Sequence, residues 1–116
     1  MKLPNVKNVV VSATKITEYL LSETHTDGKH KAKVFQAFGF SLDDCPALEQ
    51  AVRQHAADHE LAKVEPSSFG TRYVVEGIMG TPDGRSLLIR SVWFIRNKEE
   101  NPQFVTAYPL RRSDDD

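Results

Sequence analysis

Along this chain the spacing of apolar positions changes near residue 70. Before that point they recur at helical intervals: Ile16, Tyr19 and Leu20 within 14–21, Val34, Phe35 and Phe38 within 29–38, and Leu48, Ala51, Val52 and His55 within 46–59. Gly39 is placed to stop the second of these helices, and Ser41 with Asp44 forms a capping-box pattern ahead of Pro46. After residue 70 the period becomes two. Arg72–Met79, Ser86–Arg96 and Phe104–Leu110 read as strands, the first two joined by the turn signal Thr81-Pro82-Asp83-Gly84-Arg85. Asn8–Val11 is a short β-branched run that predicts one more strand, and 62–68, with Pro66 and two serines, reads as a linker. The pattern therefore predicts an α+β domain in which N-terminal helices pack on a C-terminal antiparallel sheet, a three- or four-stranded meander. Without internal repeats, residues 1–116 form one domain, with its core in about 2–110 and a polar tail at 111–116.

Strand parity separates two sheet faces. Tyr73, Val75, Gly77, Met79, Leu87, Ile89, Ser91, Trp93, Ile95, Val105 and Ala107 share one face, which should pack on the helices and bury Trp93. Arg72, Glu76, Arg90, Arg96, Thr106 and Tyr108 share the other, interleaved with Val74, Ile78, Val92 and Phe94. Pairing Thr81 with Arg85 sets Glu76 opposite Arg90. Centring the second hairpin on Glu100 sets Thr106 opposite Phe94 and Tyr108 opposite Val92. Arginine in the central strand of a polar sheet face suits a phosphate, because guanidinium reads phosphate oxygens bidentately. A Glu76–Arg90 cross-strand pair on a solvated face is the simpler account of the same residues.

Composition narrows the class. Hydrophobic residues at 40% and charged residues at 27% are ordinary for a globular domain, and a formal net charge of −1 gives no broadly basic surface. The lone Cys45 leaves no internal disulfide and has no cationic neighbour to make a thiolate. No apolar run is long enough to span a bilayer, and the first residues lack the apolar core of a signal peptide, so a cytoplasmic location is expected. Neither a metal site nor a cofactor is expected. The His55–His59 pair has i, i+4 spacing, but Ala56 stands where a metalloprotease helix carries glutamate.

The densest chemistry lies in His25-Thr26-Asp27-Gly28-Lys29-His30-Lys31-Ala32-Lys33-Val34-Phe35. Histidine exchanges a proton near neutral pH and lysine neutralises an anion beside it, a pairing suited to acid–base chemistry on a phosphate. Lys and His near a helix start are usually solvated surface.

The pattern H-x-x-G-x-H-K-A-x-x-F, a following helix, and strands ending Thr106-Ala107-Tyr108-Pro109 resemble small stand-alone bacterial proteins, many cyanobacterial, grouped as a domain of unknown function. They are also similar to C-terminal toxin domains of bacterial polymorphic and contact-dependent systems, which share the fold of the barnase, colicin D and RelE ribonucleases. The resemblance covers roughly 2–110. The matching positions are His25, Gly28, Lys31, Ala32, Phe35, Arg90, Trp93 and Thr106, whereas His30 fits the stand-alone group better than the toxin domains. It implies a ribonuclease-toxin-like fold and a metal-independent endoribonuclease toxin acting on tRNA or mRNA, with a small antitoxin-like protein as partner. His25 is then the base or acid, Lys31 and Arg90 the phosphate clamps and Thr106 a hydroxyl donor. His30, Lys33, Glu76 and Tyr108 are second choices for substrate binding. The alternative is a non-catalytic protein- or RNA-binding module with the same fold. Simple nucleic-acid binding would call on Phe94, Tyr108 and Phe104 as stacking aromatics.

Overall fold

A computed structural model describes residues 1–12, 35–41 and 44–110. A 3-10 turn at Val6–Asn8 precedes helix α1 (Cys45–Asp58), followed by strands β1 (Leu61–Ser67), β2 (Gly70–Gly80), β3 (Ser86–Arg96) and β4 (Gln103–Pro109). The strands form an antiparallel meander in the order β1-β2-β3-β4, with α1 against β2 and β3. This is an α+β fold, as the change of period predicts. The first expected helix and most of the second fall on 13–34, outside the described residues.

Helix α1 forms where its pattern puts it. Pro46 starts it, and Leu48, Val52, His55 and Ala56 fill its buried stripe. The expected capping box is not made: Asp44 occupies the N-cap without a side-chain cap bond, and its own N–H donates to the Ser41 carbonyl at 3.1 Å. Arg53 ties the N-terminal segment to this helix by donating Nη1–H to the Val9 carbonyl at 2.7 Å.

The helical turn at 35–37 ends at Gly39 as expected, with φ of 102°. Gly39 N–H donates to Gln36 and Phe40 N–H to Phe35, at 3.0 and 3.1 Å, the paired bonds of a Schellman motif. The Phe35 and Phe40 rings close it edge to face, their centroids 6.0 Å apart. A Cβ on Gly39 would also stand 3.1 Å from Pro82 Cβ and 3.2 Å from the Asp83 nitrogen, since the β2–β3 turn docks here. Gly39→Ala is therefore expected to cost about 1–2 kcal/mol, the penalty of a left-handed L-residue. Urea denaturation should show the loss, and an unchanged midpoint would contradict this account of the stop.

The β2–β3 turn is locked by Asp83. Its carboxylate accepts from Thr81 Oγ1 at 2.7 Å, from the Arg85 backbone at 3.0 Å and from Arg85 Nε at 2.6 Å. The Arg85 side chain is the main reason the Asp83 carboxyl is held down to about 2. Arg85 also donates to the Ala37 carbonyl at 2.7 Å and lies 4.2 Å over the Phe38 ring.

Three further expectations need correction. Residues 62–68 are not a linker: Leu61–Ser67 is β1, paired with β2. Every β1 residue after Leu61 is exposed, so no apolar alternation marks it, and Pro66 is tolerated because the strand is an edge. The Asn8–Val11 run contributes a single parallel bridge, Val10 to Gln103, rather than a strand, with Val9 and Val11 turned into the core. The second hairpin turns earlier than Glu100, through Lys98 at φ 69°, so Thr106 faces Val92 and Tyr108 faces Arg90. A register shift beside Val92 and Trp93 leaves Val105 unpaired and 36% exposed. Phe104 takes the core position expected of Val105 and packs edge to face on Trp93 with centroids 5.3 Å apart.

The first hairpin keeps the expected register, Glu76 opposite Arg90. Trp93 is fully buried between α1 and the sheet, in a core that also holds Leu3, Phe35, Leu48, Val52, Ile89 and Ala107.

Candidate functional site

The sheet face turned away from α1 carries the polar groups. In the middle of it, Arg90 on β3 lies between its cross-strand neighbours Glu76 on β2 and Tyr108 on β4. Arg90 Nε–H donates to Glu76 Oε2 at 2.6 Å, and its Nη2 forms an ion pair with the same oxygen. Nη1–H donates to the Tyr108 hydroxyl at 2.9 Å, and the guanidinium carbon stands 5.6 Å from the Tyr108 ring centroid. The Tyr108 bond first, and then Glu76, raises the Arg90 pKa further above its ordinary value, so the cation is permanent. A guanidinium has five N–H donors, and among the described residues one each on Nη1 and Nη2 remains uncommitted. Glu76 and Tyr108 thus brace the group while leaving it donors for an anion.

Thr106 faces Val92, one diagonal step from Arg90, about 7–8 Å away across the sheet. Val74 and Val92 are buried between these polar positions and give the face an apolar floor. Towards the far end of the same face stand Lys63, the Arg72–Glu65 ion pair, Phe94 and Arg96.

Of the sequence-predicted residues, Arg90, Thr106, Glu76 and Tyr108 share this face. His25, Lys31, His30 and Lys33 lie outside the described residues. Among the described residues, no group of three or more His, Cys, Asp or Glu side chains could share a metal ion, and no helix is long and apolar enough to cross a membrane.

The sequence profile of the domain of unknown function DUF6883 matches residues 2–111. This chain belongs to the DUF6883 family. A search of curated proteins found no match. Among solved structures, a chain of a contact-dependent growth inhibition toxin–immunity protein complex from Klebsiella pneumoniae 342 is similar, with a TM-score of 0.69. The match covers 87% of this chain and 99% of that one at 17% identity, so it speaks for the fold.

On its opposite face this DUF6883 domain buries a polar chain that sequence reasoning missed. Trp93 Nε1–H donates to Ser91 Oγ at 2.9 Å, and Ser91 Oγ–H donates to His55 Nδ1 at 2.9 Å. His55 Nε2–H completes the chain by donating to the Gly77 carbonyl at 3.1 Å. That pattern requires a neutral imidazole, and burial pushes the His55 pKa down to about 4. Next to it His59 donates to the Ile78 carbonyl at 2.7 Å with its ring 5.0 Å from His55. With Ser91 fully buried and His55 2% exposed, these groups meet no substrate; they fasten α1 to the sheet. The available signal was Ser91 itself, a serine between Ile89 and Trp93 on an otherwise apolar face, which demanded a buried partner. The DUF6883 domain's second missed feature is a groove of about 370 Å³ lined by Arg72, Phe94, Arg96, Gln103, Phe104 and Val105. The β4 bulge opens it by moving Val105 out and Phe104 in, which no local pattern announced.

Proposed function

We propose that this domain is a metal-independent endoribonuclease of the toxin type, working on the polar sheet face. The observation that carries the reading is Arg90, a permanent cation braced by Glu76 and Tyr108 that keeps one N–H each on Nη1 and Nη2 unpaired among the described residues. In this chemistry His25 takes the proton of a ribose 2′-OH. The 2′-oxygen forms a bond to the adjacent phosphorus, the bond to the 5′-oxygen breaks, and an acid protonates the leaving oxygen. Arg90 and Lys31 neutralise the charge that builds on the phosphorane oxygens, and Thr106 donates a hydroxyl to one of them. His30 and Lys33 are second choices for holding the RNA. The similarity to a chain from a toxin–immunity complex supports a paired protein, and an acidic antitoxin-like partner could cover the same cations.

The test is to incubate the purified chain with total RNA and tRNA in the presence of a chelator. Fragments ending in 2′,3′-cyclic phosphate are expected, and His25→Ala should slow their appearance about 100-fold, the usual contribution of a general acid or base. RNA left intact by the wild type overturns the enzymatic reading. RNA bound but left uncut would favour the non-catalytic binding module instead, which the same braced arginine also suits.

A further inference from the structure

Phe94 lies on the polar sheet face, towards the end away from Arg90 and Tyr108. It sits on β3 with Arg72 directly across on β2 and Gln103 directly across on β4, and Arg96 follows two residues along. It points away from the helix-side core, to which it does not belong, and remains half-buried. Gly70 fixes the ring: a Cβ there would stand 3.0 Å from Phe94 Cε1, 2.8 Å from Arg96 Cα and 2.2 Å from the Ile95 carbonyl oxygen. Only a glycine lets β2 approach this closely, and the ring edge lies over its backbone.

The groups around the ring are the ones a nucleotide needs. The exposed Arg96 guanidinium makes no ion pair or hydrogen bond among the described residues, and its charge suits a phosphate. Glu65 holds the Arg72 guanidinium in place through an ion pair. Gln103 donates an amide N–H to Glu99 at 3.3 Å, and among the described residues its amide oxygen stays available as an acceptor at the groove wall. An aromatic face flanked by cations, with one directional polar group beside it, is the composition of a base-stacking platform.

We infer that the groove formed by Arg72, Phe94, Arg96 and Gln103 is a base-stacking subsite for single-stranded RNA. This rests on the endoribonuclease reading and extends it. Four residues along a strand separate Phe94 from Arg90, about 13 Å, so the stacked base belongs to a nucleotide neighbouring the one whose phosphate meets Arg90. The subsite therefore sets which RNA segment is presented to the reacting phosphate.

The experiment measures fluorescence anisotropy of the full chain with a labelled 2′-O-methyl RNA oligonucleotide, whose blocked 2′-oxygen cannot attack. A second oligonucleotide carries abasic positions and so keeps the phosphates but lacks bases. The wild type is expected to bind the first at least about tenfold more tightly, and Phe94→Ala to lose that difference. Phe94→Trp should keep it. Arg96→Ala should weaken binding several-fold with a shallower salt dependence, which keeps the test open should Phe94→Ala not fold. If Phe94→Ala and Arg96→Ala bind like wild type while Arg90→Ala does not, the subsite is overturned and the RNA reading stands. If the wild type binds neither oligonucleotide, the RNA reading falls and takes the subsite with it.

Discussion

Arg90→Ala is expected to lower the rate of RNA cleavage by about 100- to 1000-fold, the scale on which one preorganised donor to a developing oxyanion contributes. The size follows from the placement of the group. Its guanidinium is held by Glu76 on one edge and Tyr108 on another, so it need not reorganise when charge appears on phosphorus. Arg90→Lys restores the charge but not the fork, and its rate should fall between those of wild type and alanine. Tyr108→Phe, which frees one Nη1 donor and loosens the brace, should cost far less. Stability should change little, because a partly exposed cross-strand ion pair contributes less than about 1 kcal/mol. Single-turnover cleavage of a defined RNA, with thermal melts of each variant, separates the two effects. An Arg90→Ala protein that cuts at the wild-type rate would remove this face from the mechanism.

The second large effect concerns pH and the buried chain of Trp93, Ser91 and His55. His55 titrates at about 4 in the fold against 6.5 when unfolded, mainly because burial disfavours the imidazolium. Above 6.5 both states carry a neutral ring, and the stabilisation is fully present. As pH falls from 6.5 towards 4 the unfolded chain takes up a proton that the folded one refuses, and stability is lost. Below about 4 both states are charged and this group adds no further slope. The shift corresponds to roughly 3 kcal/mol across that window. Among the described residues, Asp83 also has a large shift, but it is held down to about 2 and its contribution is lost below this window. Urea midpoints measured between pH 7.5 and 4 should fall for the wild type. They should stay nearly level for His55→Gln, whose amide can bond both neighbours without ionising. Equal slopes for the two proteins would refute the assignment.

How much of this was legible in the chain depends on whether a residue's fate is decided by its near neighbours. Gly39 as a helix stop, the Thr81–Arg85 turn and the Glu76–Arg90 register are local. A left-handed glycine and a Pro-Asp-Gly turn each satisfy backbone groups within a few residues, and the register counts outward from the turn. Trp93 was legible for the related reason that period-two alternation appears wherever one sheet face is buried. Strand β1 escaped because nearly all of it is exposed, so burial wrote no pattern into it; its pairing with β2 is what makes it a strand. The candidate site divides along the same line. That Arg90 and Glu76 meet could be counted from a turn, but that Tyr108 joins them depends on where a looser loop reverses and on a bulge at Val105. The same bulge sends Phe104 onto Trp93 and opens the groove beside Phe94. His55 is the clearest case. Its place on the buried stripe of α1 followed from helical spacing, but the spacing says nothing of its partners or its charge. Only the packing of α1 on β2 and β3 brings the Ser91 hydroxyl and the Gly77 carbonyl to its two ring nitrogens and keeps it neutral.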